Sequence, residues 1–195
     1  MNNKWKLLII NGPFCSEKQE VGNVFSQLYD FIHIDGSTVL QSLQESKKTN
    51  NSLLDYNDIH ADILWKISSF IEQWKNVVLS HTILPSYEVL YQYYLQKNKI
   101  DYNMMILLPD IDMLLKKNSL LDKSFDEEFL WDMYQLFSEE TTWKNKTYQY
   151  DSTENPVQIA ETLYMCFFPQ LQKNSFFDLS FISSNTHTIS FAFDN

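Results

Sequence analysis

The sequence WKLLIINGPFCSEKQEVGNVFSQLYD, residues 5–30, decides the fold class. Its first part, 5–11, is a short apolar run that ends at Gly12, which predicts a buried strand followed by a tight turn. In its last part, 18–30, apolar residues recur at the spacing of one helical face, at Val21, Val24, Phe25 and Leu28. The stretch therefore predicts a strand, a turn and an amphipathic helix in direct succession.

Strands and helices continue to alternate along the chain up to residue 171. The hydrophobic patterns predict further strands at 31–35, 76–80, 101–108 and 146–150. They predict further helices at 57–74, 86–95, 126–138 and 156–171. Because strands that alternate with helices form parallel sheets covered on both faces, the sequence predicts an α/β domain with a five-stranded parallel sheet.

Three connecting segments carry their own predictions. Residues 37–56 are polar, and they predict a short helix at their start and a mobile loop at 47–52. Pro109 follows the fourth predicted strand and is expected to open a helix, where its missing N–H has no cost. Ser124 and Glu127 have the spacing of a capping box before the next helix.

The last part of the chain has a different pattern. Residues 176–183 and 186–193 each alternate apolar and polar side chains around a turn, which is typical of a β-hairpin. We expect one domain over 1–173 and a C-terminal β-hairpin extension over 174–195 that packs on this same domain. The alternative is that the hairpin offers an edge for a homodimer or for another protein partner.

The charge balance argues against some partners. The 195 residues include 15 basic and 25 acidic side chains, a net charge of −10, and the basic residues are all lysine. A nucleic acid partner is not expected, because phosphate backbones bind basic surfaces. The lack of arginine has two explanations: the codon usage of an AT-rich genome, or the loss of a function that needs arginine.

The sequence also suggests no membrane partner. The apolar run 7–10 is too short for a signal peptide or a membrane span, so we expect a cytoplasmic protein. Cys15 and Cys166 match no metal-binding spacing, and a reducing compartment is the simple interpretation.

The turn after the first strand is the expected ligand site, because parallel α/β sheets bind ligands at the carboxyl ends of their strands. Residues 12–19 match the phosphate-binding pattern G-x-x-x-x-G-K-[ST] at its first glycine and its lysine. In that pattern the loop amides and the helix N-terminus surround the phosphates, the lysine reaches the outer phosphates, and the hydroxyl binds Mg²⁺. The residues of the loop are Gly12, Pro13, Phe14, Cys15, Ser16, Glu17, Lys18 and Gln19.

Two positions of this loop depart from the pattern. Glu17 replaces the second glycine and brings a carboxylate to the place where phosphates approach bare backbone, and Gln19 replaces the hydroxyl residue. Both changes are expected to weaken the binding of a nucleotide with Mg²⁺. The alternative interpretation is that Lys18 is only the first solvated lysine of an amphipathic helix.

Taken together, these features resemble the P-loop kinases of small molecules and nucleotides. This group includes shikimate kinase-like, adenylate kinase-like and chloramphenicol phosphotransferase-like proteins. The resemblance implies a three-layer P-loop NTPase-type fold. It rests on the segments 7–25 (LLIINGPFCSEKQEVGNVF), 31–39 (FIHIDGSTV), 76–86 (NVVLSHTILPS), 104–118 (MMILLPDIDMLLKKN) and 150–163 (YDSTENPVQIAETL).

The resemblance implies ATP or GTP with Mg²⁺ as the cofactor. Lys18 would bind the β- and γ-phosphates. Asp35, at the end of the second predicted strand, would contact Mg²⁺ or act on the acceptor hydroxyl as a base or positioning group. Gln19 and Asp35 are the candidates for Mg²⁺ ligands. The alternative for Asp35 is an Asp-Gly turn at a strand end.

Further candidates follow from the same resemblance. Lys116 and Lys117 occupy the stretch where such kinases carry the arginines of a lid, although lysine lacks the bidentate geometry of arginine. They are alternatively solvated lysines at a helix end. His81, after the third predicted strand, would contact substrate or phosphate, or is alternatively a packed residue.

Two functions remain open at this point. The first is an ATP- or GTP-dependent phosphotransferase that acts on a small hydroxylated metabolite or nucleotide. The second is a catalytically degenerate P-loop protein that binds a nucleotide weakly, or that acts as a protein-interaction module. Glu17, Gln19 and the lack of arginine favour the second, because phosphoryl transfer depends on positioning and on charge stabilisation.

Overall fold

The computed structural model describes residues 5–49, 55–139, 147–151 and 153–169. The strands in these residues are β1 (Leu7–Asn11), β2 (Ile32–Asp35), β3 (Val77–Ser80), β4 (Tyr102–Pro109) and β5 (Thr147–Tyr150). The helices are α1 (Lys18–Tyr29), α2 (Gly36–Thr49), α3 (Tyr56–Glu72), α4 (Pro85–Lys97), α5 (Ile111–Ser119), α6 (Glu127–Glu139) and α7 (Pro156–Phe167).

The strands form one parallel sheet in the order β2-β3-β1-β4-β5. The central strand β1 lies between β3 and β4, so that Leu7 is in register with Val77 on one side and with Tyr102 on the other. This topology confirms the predicted α/β class and the five-stranded parallel sheet. It also places the turns after β1, β2 and β3 together at the carboxyl ends of the strands, where ligands bind in such folds.

The side chains of β1 alternate between two buried clusters on opposite faces of the sheet. Leu7 and Ile9 pack with apolar residues of α3, α4 and α6, whereas Leu8 and Ile10 pack with those of α1 and α7. Burying a side chain of this size contributes about 1.5–3 kcal/mol relative to leaving it exposed. Burial on both faces makes the sheet the middle of three layers and explains why the first four residues of β1 are apolar.

The helix after β2 is longer than predicted. α2 extends to Thr49 and therefore includes the start of the predicted mobile loop at 47–52; residues 50–52 lie outside the described part of the chain. The helix begins directly after β2, because Asp35 accepts a hydrogen bond from the Ser37 N–H (3.0 Å). Near its other end, Lys47 forms an ion pair with Asp58 of α3 (2.6 Å). These contacts support a helix whose own sequence is polar.

One predicted helix start and one predicted helix cap are wrong. Pro109 ends β4, in register with Tyr150 of β5, and α5 begins only at Ile111. A proline is tolerated at this strand end. At α6 the cap is not Ser124: the carboxylate of Asp126 accepts the N–H groups of Glu128 (2.9 Å) and Phe129 (3.3 Å).

The predicted C-terminal hairpin over 174–195 and the proposed domain boundary at 173 lie outside the described residues. α7 ends at Phe167 rather than at 171. Within the described ranges, no helix is long and apolar enough to cross a membrane.

Candidate functional site

The loop that follows β1 is fixed at its start by the buried side chain of Asn11. Its amide oxygen accepts the N–H groups of Gly12 and Ile83 (both 2.8 Å), and its amide nitrogen donates to the carbonyl of Ile83 (2.9 Å). The Thr82 hydroxyl donates to the Gly12 carbonyl (3.1 Å). The loop is thus tied to the segment after β3. Neither Asn11 nor Thr82 was identified from the sequence. Asn11 could have been noticed, because it is a polar residue at the end of an otherwise apolar strand.

Gly12 is required by its surroundings. Its φ is +148°, and a Cβ at this position would lie 2.4 Å from the carbonyl oxygen of Leu107 in β4. Any other residue would therefore push the loop away from the sheet.

The far end of the loop lacks the second glycine of the pattern. Cys15 and Glu17 have left-handed φ values of 63° and 56°. For a residue other than glycine this conformation costs roughly 1–2 kcal/mol. The fold around the loop must hold it there: the hydroxyl of Tyr150 in β5 donates to the carbonyl of the buried Ser16 (2.7 Å). Tyr150 was also missed by sequence reasoning.

The loop and the first turn of α1 offer a run of free backbone donors. Within the described residues, no hydrogen bond takes up the N–H groups of 14–20, and the first one used in the helix is that of Val21, which donates to the Glu17 carbonyl (2.9 Å). No side chain caps α1. Unused N–H groups at a helix N-terminus carry partial positive charge and form a binding site for anions.

The ammonium of Lys18 lies within this loop rather than in solvent. It donates to the carbonyl of Pro13 (2.6 Å) and to the hydroxyl of Ser16 (3.3 Å). Burial lowers the pKa of Lys18 from its ordinary value of 10.5 to about 8, even though nearby acidic groups, Glu20 first among them, favour the charged form. No carboxylate of the described residues forms an ion pair with it. An anion bound here would supply the missing partner.

Glu17 directs its carboxylate to Lys117 of α5, and the two groups form a close ion pair. Lys117 also lies 3.8 Å from the carboxylate of Glu20. The second carboxylate oxygen of Glu17 is buried and has no hydrogen-bond partner in the described part of the chain. Of the two predicted lid lysines, the fold therefore brings Lys117 to the loop and leaves Lys116 exposed on α5.

Gln19 and Asp35 are also brought together. The amide nitrogen of Gln19 donates to the carboxylate of Asp35 (2.8 Å), which accepts the Thr38 hydroxyl (2.8 Å) and the Ser37 N–H as well. Asp35 therefore caps α2 and faces the loop at the same time. Because the nitrogen of Gln19 points at the carboxylate, its amide would have to turn over before both side chains could bind Mg²⁺.

The described residues contain no group of three or more His, Cys, Asp or Glu side chains that could hold a metal ion by themselves. Mg²⁺ is usually held by one or two carboxylates together with substrate phosphates. Asp35 fits that use, whereas Gln19 fits it only after rotation.

His81 is packed between other residues. A Cβ on Gly36 would lie 2.1 Å from its Nδ1, and its ring centroid lies 5.2 Å from that of His60. Its Nε2 is buried and has no partner among the residues that the structure describes. Burial lowers the pKa of His81 to about 3, so the ring is neutral at pH 7. A neutral ring cannot attract a phosphate by charge. His60, which sequence reasoning missed, stacks on Tyr87 with ring centroids 4.1 Å apart.

An aromatic contact joins the loop to the segment before α6. The ring of Phe14 stacks on Phe125 with centroids 4.8 Å apart and lies 6.0 Å from Phe129. Asn118 holds Phe125 in place, because its side chain binds both the N–H and the carbonyl of that residue (2.8 Å each). The segment after α5 therefore lies against the loop.

Comparison with known proteins gives matches of structure only. No family model matches the chain, and no curated protein is significantly similar in sequence. Among solved structures, the tunicamycin resistance protein of Deinococcus radiodurans superposes with a TM-score of 0.68 at 12% identity, over 87% of this chain and 98% of that one.

Two kinases show the same likeness. The APS kinase of Mycobacterium tuberculosis, solved in complex with AMPPNP and APS, gives a TM-score of 0.55 at 12% identity, over 83% of this chain and 96% of that one. The shikimate kinase of Acinetobacter baumannii, solved with shikimate, gives 0.56 at 14% identity, over 87% and 97% of the two chains. The chain has the fold of the P-loop kinases.

Proposed function

We propose that the chain binds the phosphates of ATP or GTP at the loop 12–19 and transfers the terminal phosphoryl group to a small hydroxylated metabolite or nucleotide. The observation that carries this proposal is that, among the described residues, nothing takes up the N–H groups of 14–20 and no carboxylate pairs with the partly buried Lys18. Unpaired backbone donors and an ammonium group in one loop favour the binding of an anion. The fold shared with kinases supports the same function.

In the proposed reaction Lys18 and the loop amides stabilise the negative charge of the β- and γ-phosphates. The acceptor oxygen attacks the terminal phosphorus, the bond to the bridging oxygen breaks, and the nucleoside diphosphate leaves. Asp35 takes the proton of the acceptor hydroxyl. A Mg²⁺ ion on the phosphates would neutralise further charge, with Asp35 as its protein neighbour and Gln19 as a weaker candidate.

A second candidate function is nucleotide binding without transfer. It is favoured by two contacts, the ion pair between Glu17 and Lys117 and the hydrogen bond between Gln19 and Asp35. The ion pair neutralises Lys117, the predicted lid lysine that reaches the loop. The hydrogen bond takes up an oxygen of Asp35, the proposed base. Lysine would also stabilise the transferring group less well than arginine, because it lacks a bidentate fork.

Two measurements on the same protein test these functions. Thermal unfolding with ATP, ADP, GTP and GDP, with and without Mg²⁺, measures binding: a nucleotide at 100 times its dissociation constant stabilises the protein by about 2.7 kcal/mol. Release of nucleoside diphosphate with a panel of sugars, polyols and nucleosides measures transfer. Stabilisation together with acceptor-dependent release supports the kinase, and stabilisation without release supports the binding module. No stabilisation by any of the four nucleotides would contradict both.

A further inference from the structure

A pocket of about 450 Å³ lies at the outer edge of the sheet, beside β2. α1 bounds it on one face of the sheet, and α2 and α3 bound it on the other. Its volume is within the range of about 300–1,000 Å³ that is usual for sites of small molecules. We call it the β2-edge pocket. It shares Gln19 and Asp35 with the loop site, but the rest of its lining has no part in that site.

The backbone of His33 offers the pocket a donor and an acceptor side by side. In the ladder between β2 and β3, the Ile32 N–H donates to the Asn76 carbonyl (2.8 Å), so Ile32 and Ile34 face β3. Backbone groups of successive strand residues face opposite ways, and the N–H and carbonyl of His33 therefore point away from β3, off the edge of the sheet that the described strands form. No hydrogen bond among the described residues takes up either group.

The side chains around this edge combine an apolar wall with polar groups. Phe70 of α3, together with Ile34 and Val39, supplies the apolar surface. Lys66, which pairs with Asp62 (2.6 Å), and the Asp35 carboxylate supply a donor and an acceptor at the rim. A planar ring that carries a donor beside an acceptor matches the His33 backbone, and hydroxyl groups attached to it match Asp35.

We infer that the β2-edge pocket binds a nucleoside, with the base against the His33 backbone and the Phe70 wall and the sugar hydroxyls towards Asp35. Nucleobases carry adjacent donors and acceptors on one ring edge, and their faces pack on aromatic side chains. Asp35 accepts a hydrogen bond from Gln19, the neighbour of Lys18. A sugar hydroxyl at Asp35 would therefore lie at the end of the pocket nearest to the loop 12–19. Binding of the nucleoside does not depend on the proposed function. Its role as the phosphoryl acceptor does.

The test is equilibrium binding of adenosine, guanosine, cytidine, uridine and thymidine, with ribose as the sugar-only probe. Asn23→Trp places a large side chain into the pocket from an exposed position of α1. Gln27→Trp puts the same side chain one helical turn further along, at an exposed position that does not line the pocket. Lys18→Met removes the cation of the loop and leaves the pocket unchanged. Thermal unfolding verifies that each variant is folded.

We expect at least one nucleoside to bind the unchanged protein, ribose to bind more than tenfold more weakly, and Asn23→Trp to weaken the nucleoside at least tenfold. Gln27→Trp and Lys18→Met should leave its dissociation constant within a factor of two. The inference is overturned if none of the five nucleosides binds at millimolar concentration, or if Asn23→Trp leaves the dissociation constant of the bound nucleoside within a factor of two. Failure of the proposed function would instead appear as nucleoside binding without stabilisation by any nucleotide.

Discussion

The carboxylate of Glu17 forms a close ion pair with Lys117, at the loop position where the phosphate-binding pattern has a glycine. This contact joins the start of α1 to the last turn of α5. It neutralises a lysine that would otherwise be available to phosphate, and it leaves one buried Glu17 oxygen with no partner within the described ranges. The same residue holds a left-handed backbone conformation that glycine adopts without strain.

Glu17→Gly should therefore strengthen nucleotide binding. The substitution removes a carboxylate from the phosphate site, releases Lys117 and relieves the backbone strain, and we expect the dissociation constant of ADP to fall by about tenfold, equivalent to about 1.4 kcal/mol. Glu20→Gln is the matched control, because Glu20 is exposed and lies further from Lys117 (3.8 Å). Titration calorimetry measures both. Weaker ADP binding in Glu17→Gly would show that the carboxylate assists the site.

Lys18→Met should stabilise the protein in the absence of nucleotide. Burial holds the pKa of Lys18 near 8 in the folded state, below its ordinary value of 10.5, so charging this group opposes folding at neutral pH. We expect the free energy of unfolding to rise by about 1–3 kcal/mol at pH 7. Urea denaturation measures this rise, with Lys116→Met as the exposed control.

The lowered pKa of Lys18 also predicts how the free energy of unfolding changes with pH. Between pH 8 and 10.5 the unfolded chain holds a proton on Lys18 that the folded chain has lost, so this group adds stability as the pH rises through that window. The difference between the unchanged protein and Lys18→Met should shrink from pH 7 to pH 10.5. A constant difference would mean that Lys18 is not desolvated.

Two histidines with lowered pKa values should make the protein sensitive to acid. Burial lowers the pKa of His60 to about 4 and that of His81 to about 3, whereas both titrate near 6.5 when unfolded. As the pH falls below 6.5 the unfolded chain takes up protons first, so the stability that is complete above 6.5 is lost towards pH 4. His60→Phe keeps an aromatic ring on Tyr87 and should lose less stability between pH 7 and 4.5. An unchanged pH dependence in urea denaturation would exclude His60 as a cause.

Gln19→Ser should increase the effect of Mg²⁺ on nucleotide binding. Serine supplies the hydroxyl that binds Mg²⁺ in the pattern, and it removes the amide that occupies Asp35. We expect Mg²⁺ to strengthen ATP binding about tenfold more in this variant than in the unchanged protein, or about 1.4 kcal/mol. Gln27→Ser, further along the same helix, serves as the control. If Mg²⁺ strengthens ATP binding equally in all three proteins, residue 19 does not contribute to Mg²⁺ binding.

Local patterns were sufficient for much of the fold. β1 is buried on both sides, and α1 and α3 each bury one face against the sheet. The spacing of apolar residues along the sequence follows this burial, so it was sufficient to predict these elements. α2 was harder, because its polar sequence is supported by a cap at Asp35 and by the pair between Lys47 and Asp58. Pro109 was misjudged because its place at a strand end depends on pairing with a distant strand.

The candidate site was predictable only in part, for a related reason. The position of Lys18 follows from a pattern of eight consecutive residues. The contact of Glu17 with Lys117, the anchoring of the loop by Asn11 and the bond from Tyr150 to Ser16 join residues that are far apart in sequence. No local spacing encodes such contacts, so they appear only once the chain is folded.

The central claim is that Lys18 and the free amides of 14–20 bind the phosphates of a nucleotide. Titration calorimetry of ADP and GDP against the unchanged protein, Lys18→Met and Lys116→Met tests it most directly. At least one nucleotide should bind the unchanged protein and Lys116→Met with equal affinity, and Lys18→Met at least tenfold more weakly. Absence of binding at millimolar nucleotide, or equal affinity for Lys18→Met, would contradict the claim.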